Sequence, residues 1–235
     1  AQDPRHWRGD HLLVRGPVVR ALQGAFAESW LEATGEPLGG DGHLPELDPI
    51  AGGALAQVLA SSPGPSASGA EEGFYLALAA ARRSIDLQAS YFAPPDAFAE
   101  ALAGAARRGV RVRVMAPGRH PEIAMVREAG RAAYASLLEA GVQVFEYDRT
   151  TLHVKALVVD GVWSVLGTAN FDHRSLGLND EIALCVQDAT LAGRLTATFE
   201  SDLDACRRIR PAEWEARGPL RRVRERAARV FAEQL

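Results

Sequence analysis

From Glu71 to Tyr147 the sequence alternates between two periodicities, and this constrains the fold more than any other feature. "EEGFYLALAAARRS" repeats its apolar residues at helical spacing, and "IDLQASYF" follows as a strand. "PPDAFAEALAGAARRG" opens on proline and closes on Gly109, as a helix does. "VRVRVMAP" is a strand, "PEIAMVREAGRAAYASLLEAG" a helix ending at Gly141, and "VQVFEY" a strand. Helices alternating with short strands predict an α/β layer structure with a mixed, largely parallel sheet flanked by helices. Further along, Asp160-Gly161 divides two apolar runs, a strong hairpin signal. "EIALCVQ" reads as one more strand and 188–209 as a helix.

Upstream of Glu71 the pattern is looser. Leu12–Val14 reads as a strand, and "PVVRALQGAFAESWLEATGE" as a helix with proline in its first turn. Residues 35–70 are linker-like, dense in Gly, Pro and Ser, with "ALAQVLAS" as a short strand inside them. The stretch 10–31 also resembles 181–203: an acidic residue, a strand, a helix, then F-x-E-S-W-L against F-E-S-D-L. Chance likeness between two amphipathic strand–helix units explains that match as well as an internal repeat does.

The 235 residues suffice for one large or two small domains. A net charge of −4 and few aromatic residues argue against a broad nucleic-acid surface. Two cysteines, Cys185 and Cys206, give no disulfide framework and fit a reducing compartment. No apolar run reaches transmembrane length, and "AQDPRHWRGDH" is not a signal peptide.

One bias is chemical. Lysine occurs once, at Lys155, among 26 basic residues, and asparagine only at Asn170 and Asn179. Arginine substitutes for lysine on a solvated surface but not where a compact, flexible ammonium is needed. A two-residue turn at Asp160-Gly161 would pair Val159 with Val162, Lys155 with Leu166 and His153 with Thr168. Strand alternation then puts His153, Lys155, Thr168 and Asn170 on one face. Singly, each residue is more often structural or solvated. Together they favour a site that suits an anion: ammonium and amide can donate to phosphoryl oxygens, and imidazole can serve as nucleophile or proton carrier.

His153-x-Lys155-x4-Asp160-x6-Gly167-Thr168-x-Asn170 matches the HKD signature of the phospholipase D superfamily. "WRGDHLLVRGPVVRALQGAFAESWLEATGE", "ASYFAPPDAFAEALAGAARRGVRVRVMAPG" and "HVKALVVDGVWSVLGTANFDHRSLGLNDE" extend the likeness, and nearly the whole chain resembles bacterial cardiolipin synthases. The resemblance implies a site built from two HKD motifs with a phosphohistidine intermediate and no metal or other cofactor. His153 would be the second-motif histidine and act as general acid/base. Lys155, Asn170 and Thr168 would bind phosphate, and Asp160 would be a structural member of the motif. Glu181 would accept a hydrogen bond from the histidine's other ring nitrogen, or else be a strand-edge charge. Asp10 would serve the first-motif histidine in the same way, or be a loop charge. Arg174 and Ser175 would brace the loop after the motif.

The resemblance divides the chain into the tail of a first repeat (1–34), a linker (35–70), a second phospholipase D-like domain (71–204) and a basic C-terminal segment (205–235). A first HKD half, in the same chain or a second subunit, would complete the site. Residues 206–235 hold nine arginines and four glutamates. Leu220, Val223, Ala227, Val230 and Phe231 would line one face of a helix lying on an anionic membrane or packed on the domain. The implied function is phosphatidyl transfer between phospholipids such as phosphatidylglycerol, at the cytoplasmic side of a bacterial membrane. The alternatives are a phospholipase D-like hydrolase or nuclease, or an inactive half-site.

Overall fold

Valine-rich runs of four to seven residues need cover on both faces, and they receive it from helices on either side of one sheet. The structure, a computed structural model, describes residues 3, 6–63, 69–218 and 227–228. In chain order the elements are β1 (Trp7–Arg8), α1 (Val18–Thr34), β2 (Leu55–Ser61), α2 (Gly69–Ala80), β3 (Ser84–Ala89), β4 (Phe92–Ala93), α3 (Asp96–Arg107) and β5 (Arg111–Pro117). There follow α4 (Ala124–Gly130), a 3-10 turn, α5 (Tyr134–Glu139), β6 (Gln143–Tyr147), β7 (Thr151–Leu152), β8 (Lys155–Val159), β9 (Trp163–Gly167) and β10 (Phe171–Asp172). The last are α6 (His173–Gly177), β11 (Glu181–Gln187), α7 (Ala189–Leu203), β12 (Cys206–Ile209) and α8 (Pro211–Glu215).

Eight strands form the main sheet in the order β12-β6-β5-β3-β8-β9-β11-β2. The strand–helix–strand units make β3, β5 and β6 parallel. The hairpin, β11, β2 and β12 add antiparallel strands, so the sheet is mixed. Short connections require this, because parallel neighbours need a crossover and hairpin neighbours do not. Phe74, Leu78, Phe98, Leu102, Leu137 and the inward residues of β3, β5 and β8 form the core on one face. Phe199, Met115, Ala156 and Leu166 form a smaller core on the other, where α7 lies.

Four local expectations are corrected. Leu12–Val14 forms no strand; the strand is Trp7–Arg8, parallel to β7. The helix expected over 121–141 breaks at Gly130, where a Cβ would collide with the Phe92 carbonyl oxygen. The helix expected over 188–209 stops at Leu203, and 206–209 pair antiparallel with β6 as an edge strand. The basic segment from 205 onward therefore begins inside the fold, with Ile209 and Trp214 buried. Most of its expected helix, including Leu220, Val223, Val230 and Phe231, lies outside the described residues.

The fourth correction is register. Asp160 and Gly161 turn with φ of 56° and 69°, and the Val162 amide donates to Val159 O at 3.1 Å. The ladder, however, pairs Val159 with Trp163 and Ala156 with Leu166. Three residues, not two, lie between the paired positions. Lys155 is thus not opposite Leu166, and simple alternation does not bring the signature residues together.

Candidate active site

β8 runs antiparallel to β3 and pairs Lys155 with Ala89, so the start of β8 lies at the C-terminal end of β3. The loop after β5 and the end of β9 reach the same end of the sheet. In open α/β sheets this carboxyl end of the parallel strands is where ligands bind.

His153 and Lys155 meet here. Lys155 Nζ lies 3.1 Å from His153 Nε2 and donates to the His153 carbonyl at 3.4 Å. β1 holds the histidine from outside: its backbone N–H donates to Arg8 O at 2.8 Å, and its ring packs on Trp7 with centroids 4.3 Å apart. Burial lowers the pKa of His153, the neighbouring ammonium lowers it further, and Glu122 opposes both. Burial also lowers Lys155, against Glu122, Glu181 and Asp172. The imidazole is therefore held toward its neutral form, ready to accept a proton, beside a cation.

Asn170 is buried. Its Oδ1 accepts from Ser90 Oγ at 2.5 Å and from the Tyr91 amide at 3.3 Å. Those bonds fix the side chain to the segment after β3 and leave its NH2 group as the remaining donor. Thr168 does not share the His153 face as expected. Its amide donates to Ile182 O at 2.9 Å, and its hydroxyl donates to the Glu181 carboxylate and accepts from the Ile182 amide at 3.0 Å.

The structure reverses the expected placement of the two carboxylates. Glu181 accepts from Thr168 and from Asn179 Nδ2, at 3.2 Å in the second case, rather than from His153. The reason is strand order, since β9 stands between β8 and β11. Asp10, expected beside a different histidine, lines a cavity of about 190 Å³ with His153, Lys155 and Gly167. Arg8 donates to Asp10 Oδ1 at 2.6 Å and pairs with Asp202 at 2.9 Å, while Asp10 Oδ2 is buried without a hydrogen-bond partner.

Asp160 lies at the opposite end of the sheet. Its carboxylate accepts from the amides of Arg82, Arg83 and Ser84 at 3.0, 2.7 and 2.9 Å, tying the hairpin turn to the start of β3. Arg174 and Ser175 are loop braces: Arg174 Nε donates to Asn179 Oδ1 at 3.1 Å, and the Ser175 amide donates to Asp172, the cap of α6, at 2.8 Å. Trp7, Tyr91 and Glu122 reach the site without having been singled out in the sequence. Glu122 had one legible signal, its position in the loop after the C-terminal end of a parallel strand. Among the described residues no group of three or more His, Cys, Asp or Glu side chains is arranged to hold a metal ion.

Comparison with known proteins gives a family and a fold. The family model described as "Cardiolipin synthase, PLD-like domain" matches residues 76–203. A probable cardiolipin synthase of Bacillus subtilis, YwiE, is 32% identical over 226 residues, covering 96% of this chain and 45% of the relative. Cardiolipin synthase A of Pseudomonas entomophila is 36% identical, covering 96% of this chain and 46% of the relative. The chain thus spans about half the length of these curated relatives. Among solved structures, Nuc of Salmonella typhimurium, a phospholipase D family member, aligns with a TM-score of 0.58 at 25% identity, covering 67% of this chain and 99% of that one. Phosphatidylserine synthase of Haemophilus influenzae aligns with a TM-score of 0.57 at 15% identity, over 77% of this chain and 48% of that one, and shares the fold. With His153, Lys155 and Asn170 at the carboxyl end of a mixed sheet, the chain belongs to the phospholipase D-like family of the cardiolipin synthase domain.

Proposed function

We propose that this chain supplies one half of the active site of a cardiolipin synthase-type phosphatidyltransferase. The observation that carries the reading is the His153–Lys155 pair, 3.1 Å apart at the ligand-binding end of the sheet. A neutral imidazole beside an ammonium suits a phosphodiester: the cation draws in the anion, and the imidazole handles protons. The likeness to cardiolipin synthases along almost the whole chain selects the lipid reaction from the chemistries such a pair can serve.

In this reading a histidine from a first HKD half attacks phosphorus and the bond to the leaving alcohol breaks. His153, protonated once the anionic substrate is bound, gives its proton to the leaving oxygen. It then takes the proton of the incoming glycerol hydroxyl as that oxygen attacks phosphorus and the P–N bond breaks. Lys155 Nζ and the Asn170 amide donate to the equatorial oxygens, where charge develops. Asp10, with a buried, unpaired carboxylate oxygen in the His153 cavity, is the carboxylate that orients this histidine. Glu181 and Thr168 act as a unit that faces the first half. Residues 1–34 are the end of a first repeat, 35–70 a connection that contributes β2, 71–204 the second domain, and 205–235 a basic segment toward an anionic lipid surface. The substrates are phospholipids such as phosphatidylglycerol, met at the cytoplasmic face of a bacterial membrane. No helix among the described residues is long and apolar enough to cross one.

The test uses the longer, two-motif protein and vesicles of phosphatidylglycerol. Transfer converts two phosphatidylglycerols to cardiolipin and glycerol. His153→Ala should reduce that product at least about 10³-fold while leaving the thermal midpoint in place. Retained turnover overturns the assignment. A hydrolytic phosphodiesterase is the second reading, favoured by the alignment with nearly all of the Nuc chain. It would release phosphatidic acid and glycerol from the same vesicles.

A further inference from the structure

Two oppositely charged side chains face the His153 imidazole, and only Lys155 belongs to the signature. Glu122 approaches from the β5–α4 loop, with Oε2 3.8 Å from His153 Nε2, the nitrogen that also faces Lys155 Nζ. The Tyr91 phenol lies beside Glu122. Burial, followed by the influence of Glu122, pushes that phenol up to about 12, so Tyr91 stays protonated. The Tyr91 backbone amide also donates to Asn170 Oδ1.

A carboxylate beside a phosphate site opposes the anionic substrate, and its position therefore calls for a compensating role. The imidazole supplies one. With an ammonium 3.1 Å away, protonating His153 would put two positive charges in contact. A carboxylate on the same side relieves that repulsion. The other charged groups nearby are differently placed: Asp10 lines the cavity while bonded to Arg8, and Glu181 is engaged by Thr168 and Asn179. Glu181 and Asp172 act on Lys155, whereas Glu122 acts on both members of the pair. Trp7, on the outer side of the ring, carries no charge.

We propose that Glu122, 3.8 Å from the imidazole, is a positioning residue that allows His153 to hold a proton next to the Lys155 ammonium. It is outside the HKD signature and comes from a different part of the chain. The inference rests on the proposed transfer reaction only for why the proton matters. Its test does not use turnover, so it can fail or succeed independently of that reading.

The test is a proton NMR titration of the histidine ring signals in this chain, with His153→Gln assigning one of the six. In Glu122→Gln the His153 midpoint should fall by roughly half a pH unit or more, because the neutral amide no longer favours the imidazolium. Tyr91→Phe, which leaves the carboxylate in place, should produce a smaller shift. The dispersion of the amide spectrum should be unchanged in both variants, which a general loss of structure would not allow. A His153 midpoint unchanged or raised in Glu122→Gln overturns the proposal. So does a larger fall in Tyr91→Phe than in Glu122→Gln.

Discussion

At the residue scale the signature residues occupy opposite ends of the sheet. Lys155 and His153 meet at one end of β8, while Asp160 works at the other, where three backbone amides converge on its carboxylate. Burial alone would raise the Asp160 pKa, but the amides of Ser84, Arg83 and Arg82 together hold it below the usual range. Asp160→Ala should therefore lose about 1–2 kcal/mol at pH 7 in urea unfolding, a modest value because the carboxylate is only partly buried. The sign follows from the depressed pKa. The carboxylate contributes fully above its unfolded pKa, near 3.9, and the contribution fades as pH falls through the lower folded value. The difference between wild type and variant should thus be complete at pH 5 and shrink below about pH 3. A difference that grows in acid would contradict this role. The scarcity of lysine made Lys155 legible, and the spacing made His153 and Asn170 legible. Trp7 was not, because its approach depends on β1, far away in sequence, and Glu122 was marked only by its place in the loop after a parallel strand.

At the element scale the hairpin was legible and its register was not. Asp-Gly with both φ values positive specifies a tight turn, yet the ladder places a third residue between paired positions. Neighbouring strands decide this. Gly167 lies against β11, where a Cβ would collide with the Ile182 carbonyl oxygen and lie 2.6 Å from Ala183 Cα. Both obstacles are backbone atoms, so the strands themselves would have to part. Gly167→Ala should cost at least about 2 kcal/mol, read as a lower urea midpoint, with faster hydrogen exchange of the Thr168 amide, which donates to Ile182 O. A near-neutral result would mean that β9 and β11 are less closely apposed. The same strand order explains why Glu181 meets Thr168 and not His153. Two residues, Trp7 and Arg8, form a strand with no sequence signal because a two-residue parallel pairing has no periodicity to read.

At the scale of the whole molecule, α1 stands apart from the domain core. None of its residues is buried; Phe26, Trp30 and Leu31 are exposed, and Phe26 and Leu31 line a groove of about 590 Å³ that also touches Thr168 and Glu181. Within this chain such residues contribute little to folding. Phe26→Ser should change the unfolding free energy by less than about 0.5 kcal/mol and reduce binding of a hydrophobic dye. A loss several times larger would show that α1 packs more closely than its exposure indicates. By itself the sequence determined the main alternation of helices and strands from Glu71 to Tyr147, the hairpin and the candidate residues for phosphate chemistry. These are local matters of periodicity, turn geometry and side-chain type. Only the tertiary structure decided which carboxylate stands near which base. Strand order put β9 between His153 and Glu181, the pairing of β1 with β7 brought Asp10 into the His153 cavity, and the loop after β5 delivered Glu122. Contacts between distant segments follow from how the sheet is assembled, and no local pattern along the chain encodes that assembly.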